Sequence, residues 1–231
     1  MNMFRAMELL KEDLKERTMP KNRLCLNSRI LNLYSDYEGI PKGRMIQFYG
    51  YPDCGKTTIA KDIIRKNQDN IFIYISANKD DVAKIHYRNA IILMSNIFEH
   101  TISYLSKVNK RDVDVVIIDN INNMLSKKEL VSAFTEKLDN KEILNKYIKQ
   151  LSILAAQKEF SIIIFNGINK MTNKARYSYI IEKEAVANFK VERAGANANR
   201  IKVRIYPQRN LMSTQMDIHE FDLYYNDIYG R

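Results

Sequence analysis

Short apolar runs alternate with amphipathic segments along most of this chain. The apolar runs predict buried strands, and the segments between them, whose apolar residues recur at helical spacing, predict helices. Strands are predicted over 44–50, 71–76, 90–95, 113–120, 160–168, 187–193, 199–207 and 216–225. Helices are predicted over 56–68, 80–89, 98–110 and 141–159.

This succession predicts an α/β fold. Apolar strands separated by helices are typical of a mostly parallel sheet that is covered on both faces. Right-handed crossovers between such strands give a doubly wound sheet. We expect the last three predicted strands to be antiparallel.

Residues 1–17 precede this pattern and predict an amphipathic helix, which a linker containing Pro20 follows. The apolar face of such a helix needs cover. It either docks on a neighbouring subunit as an oligomerisation element or folds back on its own core. The expected division is an N-terminal helix and linker over 1–26 and one core over 27–231.

Charge gives a first indication of the partner. Lysine and arginine outnumber aspartate and glutamate by 37 to 27 in 231 residues, for a formal net charge of +10. Such an excess favours a polyanionic partner such as nucleic acid. The alternative is a basic surface that serves only solubility.

Nothing in the sequence predicts a membrane partner. No apolar run approaches the roughly 18–20 residues that span a bilayer, and the start of the chain lacks the apolar core of a secretory signal. Cys25 and Cys54 have no metal-ligand spacing and are typical of reduced thiols. We therefore expect a cytoplasmic protein, in the host cytoplasm if the chain is viral.

The stretch GYPDCGKTT, between a predicted strand and a predicted helix, fits the phosphate-binding pattern of two glycines followed by lysine and a hydroxyl. Its glycines let backbone amides surround a phosphate at the positive end of the helix. Lys56 is expected to reach the β- and γ-phosphates of ATP, and Thr57 to bind Mg²⁺. The alternative is a glycine turn with a solvent-exposed lysine. The candidate nucleotide-binding residues are Gly50, Tyr51, Pro52, Asp53, Cys54, Gly55, Lys56, Thr57 and Thr58.

The apolar strand over 113–120 ends in a second candidate, Asp119. Ligands bind at the carboxyl ends of strands in open α/β sheets. Asp119 is therefore predicted to hold Mg²⁺ through water, as a Walker-B aspartate does.

With these motifs placed, the chain resembles the RecA recombinase family over about residues 27–230. The family's entry to its phosphate loop is similar to EGIPKGRMIQFYGYPDCGKTT, and its aspartate-ending strand to KVNKRDVDVVIIDNINNML. The strand before its second DNA-binding loop resembles FSIIIFNGINKM. Its closing strands resemble NRIKVRIYPQRN and HEFDLYYNDIYG. The similarity covers only the family's core, as in core-only recombination proteins of bacteriophages.

The resemblance implies ATP at subunit interfaces, assembly of the protein with itself into a filament or ring, and single-stranded DNA bound by two loops. These loops would lie at about 120–141 and 167–182. The second loop combines cations that neutralise phosphates with aromatic rings that stack on bases. The alternative is an ordinary basic surface loop. The candidate DNA-binding residues of the second loop are Lys170, Lys174, Arg176, Tyr177 and Tyr179.

The chain departs from the family at three points. Asn78 stands where the family has its catalytic glutamate, and an amide cannot accept a proton as a carboxylate does. Hydrolysis is therefore expected to be slow or absent, unless Asp80 or Asp81 takes the place of that glutamate. Gly167, which follows Asn166, stands where the family has a glutamine that contacts phosphate. Glycine has no side chain to make that contact. The family's late lysine pair is absent, and Arg204 or Arg209 would have to reach the nucleotide of a neighbouring subunit, unless both are ordinary surface charges.

The resemblance thus implies an ATP- and single-stranded-DNA-binding protein of recombination, strand annealing or repair, with Lys56, Asn78 and Asp119 in catalytic positions. A ring-forming DNA helicase is one alternative, although a helicase needs rapid ATP turnover, which Asn78 disfavours. A non-hydrolysing or weakly hydrolysing scaffold or regulatory subunit is the other, which Asn78 and Gly167 favour.

Overall fold

The structure is a computed structural model. It describes residues 23–24, 26, 31, 40–78, 87–124, 140–196, 200–208 and 219–224. The predicted helix over 1–17, most of the predicted helix over 80–89, most of the first DNA loop and Arg209 lie outside these residues.

The described residues form eleven strands and four α-helices. The strands are β1 (Arg23–Leu24), β2 (Ile40–Pro41), β3 (Met45–Gly50), β4 (Phe72–Ser76), β5 (Ala90–Met94), β6 (Val115–Asp119), β7 (Ser161–Asn169), β8 (Lys174–Ala175), β9 (Ala185–Ala196), β10 (Arg200–Gln208) and β11 (His219–Tyr224). The helices are α1 (Lys56–Lys66), α2 (Phe98–Lys107), α3 (Asn140–Lys158) and α4 (Ser178–Glu184), and a 3-10 turn covers Ile121–Asn123.

One large sheet carries the fold, with the strand order β11-β10-β9-β3-β7-β6-β4-β5 and with β8 paired to β7. The strands from β9 to β5 pair in parallel, whereas β10 and β11 are antiparallel to their neighbours. The predicted mostly parallel sheet with antiparallel C-terminal strands is therefore confirmed. In detail, β9 differs from the expectation because it runs parallel to β3 and is antiparallel only to β10.

Successive side chains along each strand point to opposite faces of the sheet, and helices bury both faces. Phe48 stacks between Phe165 and Phe189 on the face that α1 covers, with ring centroids 5.3 and 4.8 Å away. On the opposite face, Phe98 of α2 stacks on Tyr147 of α3 at 4.7 Å. Helices on both faces are the doubly wound arrangement that the sequence predicts.

None of the described helices is long and apolar enough to cross a membrane.

Candidate functional site

The phosphate loop connects the end of β3 to the start of α1. Gly55 adopts φ 101°, a left-handed conformation that favours glycine, and Asp53 has φ 58°. At Gly50 the constraint is space, since a Cβ there would overlap the Val191 carbonyl oxygen and lie 2.7 Å from Cys54 Sγ. The loop is thus folded tightly against β9, and both glycines are needed for its shape.

The Lys56 ammonium lies at the centre of this loop. Its Nζ donates to the carbonyl oxygens of Gly50 at 3.0 Å and Tyr51 at 2.6 Å, and it lies 3.6 Å from Cys54 Sγ. Burial raises the pKa of the Cys54 thiol, although the Lys56 charge partly offsets that effect. Cys54 therefore packs as a neutral thiol beneath the lysine.

Thr57 and Asp119 meet in front of the loop, because α1 begins and β6 ends at the same edge of the sheet. Thr57 Oγ1 donates to Asp119 Oδ2 at 2.6 Å, and the Tyr74 hydroxyl donates to the same oxygen at 2.9 Å. Tyr74 is buried on β4, whose neighbour in the sheet is β6. The two residues predicted to bind Mg²⁺ are therefore brought together.

A concavity of about 620 Å³ opens over these groups, a size typical of ligand pockets. Gly50, Tyr51 and Cys54 support the loop from outside it. Three of the lining residues are not indicated by the sequence motifs: Asn120 and Asn123, which closely follow Asp119, and Arg193, an exposed residue of β9. The predicted residues that line the concavity are Pro52, Asp53, Gly55, Lys56, Thr57, Thr58, Asn78 and Asp119.

The oxygen atoms of Thr57 and Asp119 fit Mg²⁺, which prefers oxygen ligands and usually completes its coordination with waters and substrate phosphates. Among the described residues, no three His, Cys, Asp or Glu side chains are grouped closely enough to hold a metal ion. Thr57 and Asp119 thus fit an ion that takes its remaining ligands from water and phosphate oxygens.

A second concavity, of about 740 Å³, lies beside the β7–β8 hairpin. Met171 is almost fully exposed there, and half of Tyr179 is exposed. The predicted DNA loop forms the β7–β8 hairpin followed by α4, and its five candidate residues are brought together. They are Lys170, Lys174, Arg176, Tyr177 and Tyr179.

Side-chain amides connect the two concavities. Asn122 Nδ2 donates to Asn120 Oδ1 at 2.7 Å and to Asn166 Oδ1 at 2.8 Å. Asn166 Nδ2 in turn donates to the Arg176 carbonyl oxygen at 2.8 Å and to Gln47 Oε1 at 2.8 Å. Asn166, and not the side-chain-free Gly167, therefore links the edge of the phosphate site to the hairpin.

Arg204 does not line the phosphate concavity of its own chain. Its guanidinium donates to Glu220 Oε1 at 2.6 and 3.0 Å, while Lys202 pairs with the other carboxylate oxygen at 2.6 Å. Hydrogen bonds from Lys202 and Arg204 hold the pKa of Glu220 below its usual value. Any contact of Arg204 with a neighbouring subunit would compete with this pairing.

The parallel sheet, with its phosphate loop after β3 and its aspartate at the end of β6, defines a P-loop ATPase with a RecA-like core. A match between this chain and a known family model supports this assignment. The chain belongs to the ATPase family associated with various cellular activities (AAA), whose model matches residues 46–176.

Individual RecA proteins are similar in sequence to this chain. Protein RecA of Helicobacter pylori (strain G27) is 26% identical over 109 residues, which are 43% of this chain and 31% of that RecA. Protein RecA of Aquifex aeolicus (strain VF5) is 24% identical over 170 residues, 69% of this chain and 48% of the relative. Protein RecA of Chlamydia pneumoniae is 22% identical over 223 residues, 85% of this chain and 63% of the relative. The chain thus matches between 31% and 63% of the length of these relatives.

A solved structure shows the same fold. The crystal structure of a KaiC-like protein from the archaeon Pyrococcus horikoshii OT3 superposes with a TM-score of 0.63 at 15% identity, covering 89% of this chain and all of that one. The sequence resemblance to RecA is therefore confirmed at the level of the ATPase core.

Proposed function

We propose that this protein binds ATP with Mg²⁺ and single-stranded DNA, and that it assembles into a filament or ring with ATP at subunit interfaces. Its role would be in recombination, strand annealing or repair. The observation that carries the proposal is that the phosphate concavity and the basic, aromatic concavity are joined by the amide network of Asn122 and Asn166. The similarity to RecA proteins supports it.

At the phosphate site the chain's own groups act mainly by binding and charge. Lys56 and Arg193 can neutralise phosphate oxygens, and backbone amides of the loop can donate to them. Thr57 and Asp119 would hold Mg²⁺, which when bound would neutralise negative charge on the phosphates. These groups favour a triphosphate over a neutral ligand.

Asn78 lines the same concavity, and its backbone N–H donates to Ser76 Oγ at 3.1 Å. From this position an amide side chain can orient a water molecule but cannot accept its proton. We propose that ATP turnover is slow. A second candidate function follows from the same observation, an assembly in which bound ATP stabilises subunit contacts without being consumed.

Asn78→Glu is expected to raise ATP turnover by about tenfold or more, because it supplies a carboxylate as general base. The measurement is phosphate release at saturating ATP, with and without single-stranded DNA. Asn78→Gln is the matched control, since it has the same length and no base. If the glutamate variant is no faster than the glutamine variant while both bind ATP, Asn78 does not occupy the water-activating position.

Lys170→Ala combined with Lys174→Ala is expected to weaken binding to an oligothymidine by about tenfold. The slope of log affinity against log salt should fall by about 1.4, since each lost phosphate contact removes about 0.7.

Tyr179→Ala should weaken oligothymidine binding by about 1–3 kcal/mol per stacked base and leave the salt slope unchanged. Fluorescence anisotropy over a salt series, with and without ATP and Mg²⁺, gives both quantities.

Lys42→Ala combined with Lys107→Ala is the charge-matched control. Both lysines are exposed and lie outside the two concavities. The control should keep the wild-type affinity within about twofold. Equal loss in both double variants would mean that DNA is held by net charge alone and would remove the assignment of the second concavity.

A further inference from the structure

Tyr74 lies in the middle of an apolar strand, where a phenylalanine would satisfy the packing equally well. Its side chain is fully buried in the cluster between the sheet and α1. Its hydroxyl nevertheless lies 2.9 Å from Asp119 Oδ2, the oxygen that also accepts from Thr57. The sheet explains the approach, because β4 pairs in parallel with β6 and places Tyr74 opposite Ile117, two residues before Asp119.

We propose that Tyr74 is a positioning residue for the metal, holding Asp119 in the orientation that binds Mg²⁺ with the nucleotide. This inference rests on the proposed function, because it assigns a role at the same site. Two donors on one oxygen limit rotation of the carboxylate about its Cβ–Cγ bond. The Thr57 hydroxyl can donate its hydrogen bond to Asp119 and still offer an oxygen lone pair to the metal.

The energetic reason is the burial of Asp119, which is 5% exposed. A carboxylate with little access to water depends on protein donors for its orientation, and removal of such partners of metal ligands typically costs about 10–100-fold in metal affinity. Thr57 alone is a weak restraint, since it belongs to the loop that must also accommodate phosphates. Tyr74 belongs to β4, which is hydrogen-bonded in the sheet on both sides, to β5 and to β6.

Tyr74→Phe tests the proposal, because it removes the hydroxyl and keeps the ring that packs in the core. Binding of a fluorescent ATP analogue is titrated with Mg²⁺, and separately measured in excess EDTA. We expect the half-saturating Mg²⁺ concentration to rise about tenfold. Affinity for the analogue in EDTA should stay within about twofold of the wild type, because Tyr74 does not line the concavity.

Tyr147→Phe is the matched control, a buried tyrosine on α3 in the cluster on the opposite face of the sheet. It should leave both affinities unchanged. Melting temperatures of all three proteins are recorded under the same conditions, so that loss of folded protein is distinguished from loss of metal coupling.

The outcomes separate the two proposals. A wild-type protein that binds the analogue in Mg²⁺ no better than in EDTA would overturn the Mg²⁺ site and, with it, the role of Tyr74. A normal wild type with an unchanged Mg²⁺ titration in Tyr74→Phe would overturn only the positioning role. A variant with equal losses in Mg²⁺ and in EDTA would mean that the hydroxyl serves folding alone, which also overturns it.

Discussion

Lys56→Ala is expected to weaken ATP binding by about 100-fold or more and to abolish ATP turnover. The ammonium is the central cation of the phosphate loop, and each hydrogen bond between a charged group and its partner contributes about 1.5–3 kcal/mol. Loss of the hydrogen bonds to two phosphates therefore accounts for a decrease in ATP affinity of about 100-fold. Isothermal titration with ATP and Mg²⁺ measures the change in affinity.

Lys66→Ala is the control on the same helix. Lys66 lies at the C-terminal end of α1 and pairs with Asp62 at 2.8 Å, remote from the concavity. ATP affinity in this variant should equal that of the wild type within about twofold. Wild-type affinity in Lys56→Ala itself would remove the nucleotide site from the phosphate loop.

Gly50→Ala is expected to lower the free energy of unfolding by about 2–3 kcal/mol, which corresponds to roughly 5–10 °C in melting temperature. The added methyl group would overlap the Val191 carbonyl oxygen, which belongs to the rigid strand β9. Because relief requires the loop to move away from β9, ATP binding should fall as well. Thermal melting and ATP titration on the same sample measure the two effects.

Gly195→Ala is a matched substitution on β9 itself. A Cβ there would have Lys202 Cβ as its nearest neighbour, at 4.0 Å. The melting temperature should change by less than about 2 °C. Equal destabilisation of both variants would show that glycine replacement costs stability through the backbone and not through the overlap at Gly50.

Features that depend on neighbouring residues in the sequence could be predicted. The phosphate loop is contiguous in the sequence, and Asp119 is recognisable as the end of an apolar strand, which lies beside the loop in the structure. The basic and aromatic residues of the second concavity lie within ten residues of one another, from Lys170 to Tyr179, so one hairpin and one helical turn suffice to gather them. Local patterns therefore identified both concavities.

Features that depend on strand order could not be predicted. Arg193 enters the phosphate concavity because β9 lies beside β3, and no motif links the two segments. From the sequence, Tyr74 resembles an ordinary core residue. Its contact with Asp119 becomes apparent only when β6 is known to lie beside β4. The sequence does not reveal the orientation of β9 for a related reason. Ser178–Glu184 is too short to show helical periodicity, yet this helix is the crossover that lets β9 run parallel to β3.

The hydrogen bonds of Gln47 with Asn166 and Asn188 affect how the sheet assembles. Gln47, Asn166 and Asn188 lie buried on three adjacent strands, and the Gln47 side chain forms hydrogen bonds with both asparagines. A slip of one residue between β3 and its neighbours would turn Gln47 to the opposite face and leave buried amides unpaired, at about 1–3 kcal/mol each. Runs of isoleucine such as Ile162–Ile164 tolerate such slips, so these three amides select the correct alignment of the central strands during assembly of the sheet.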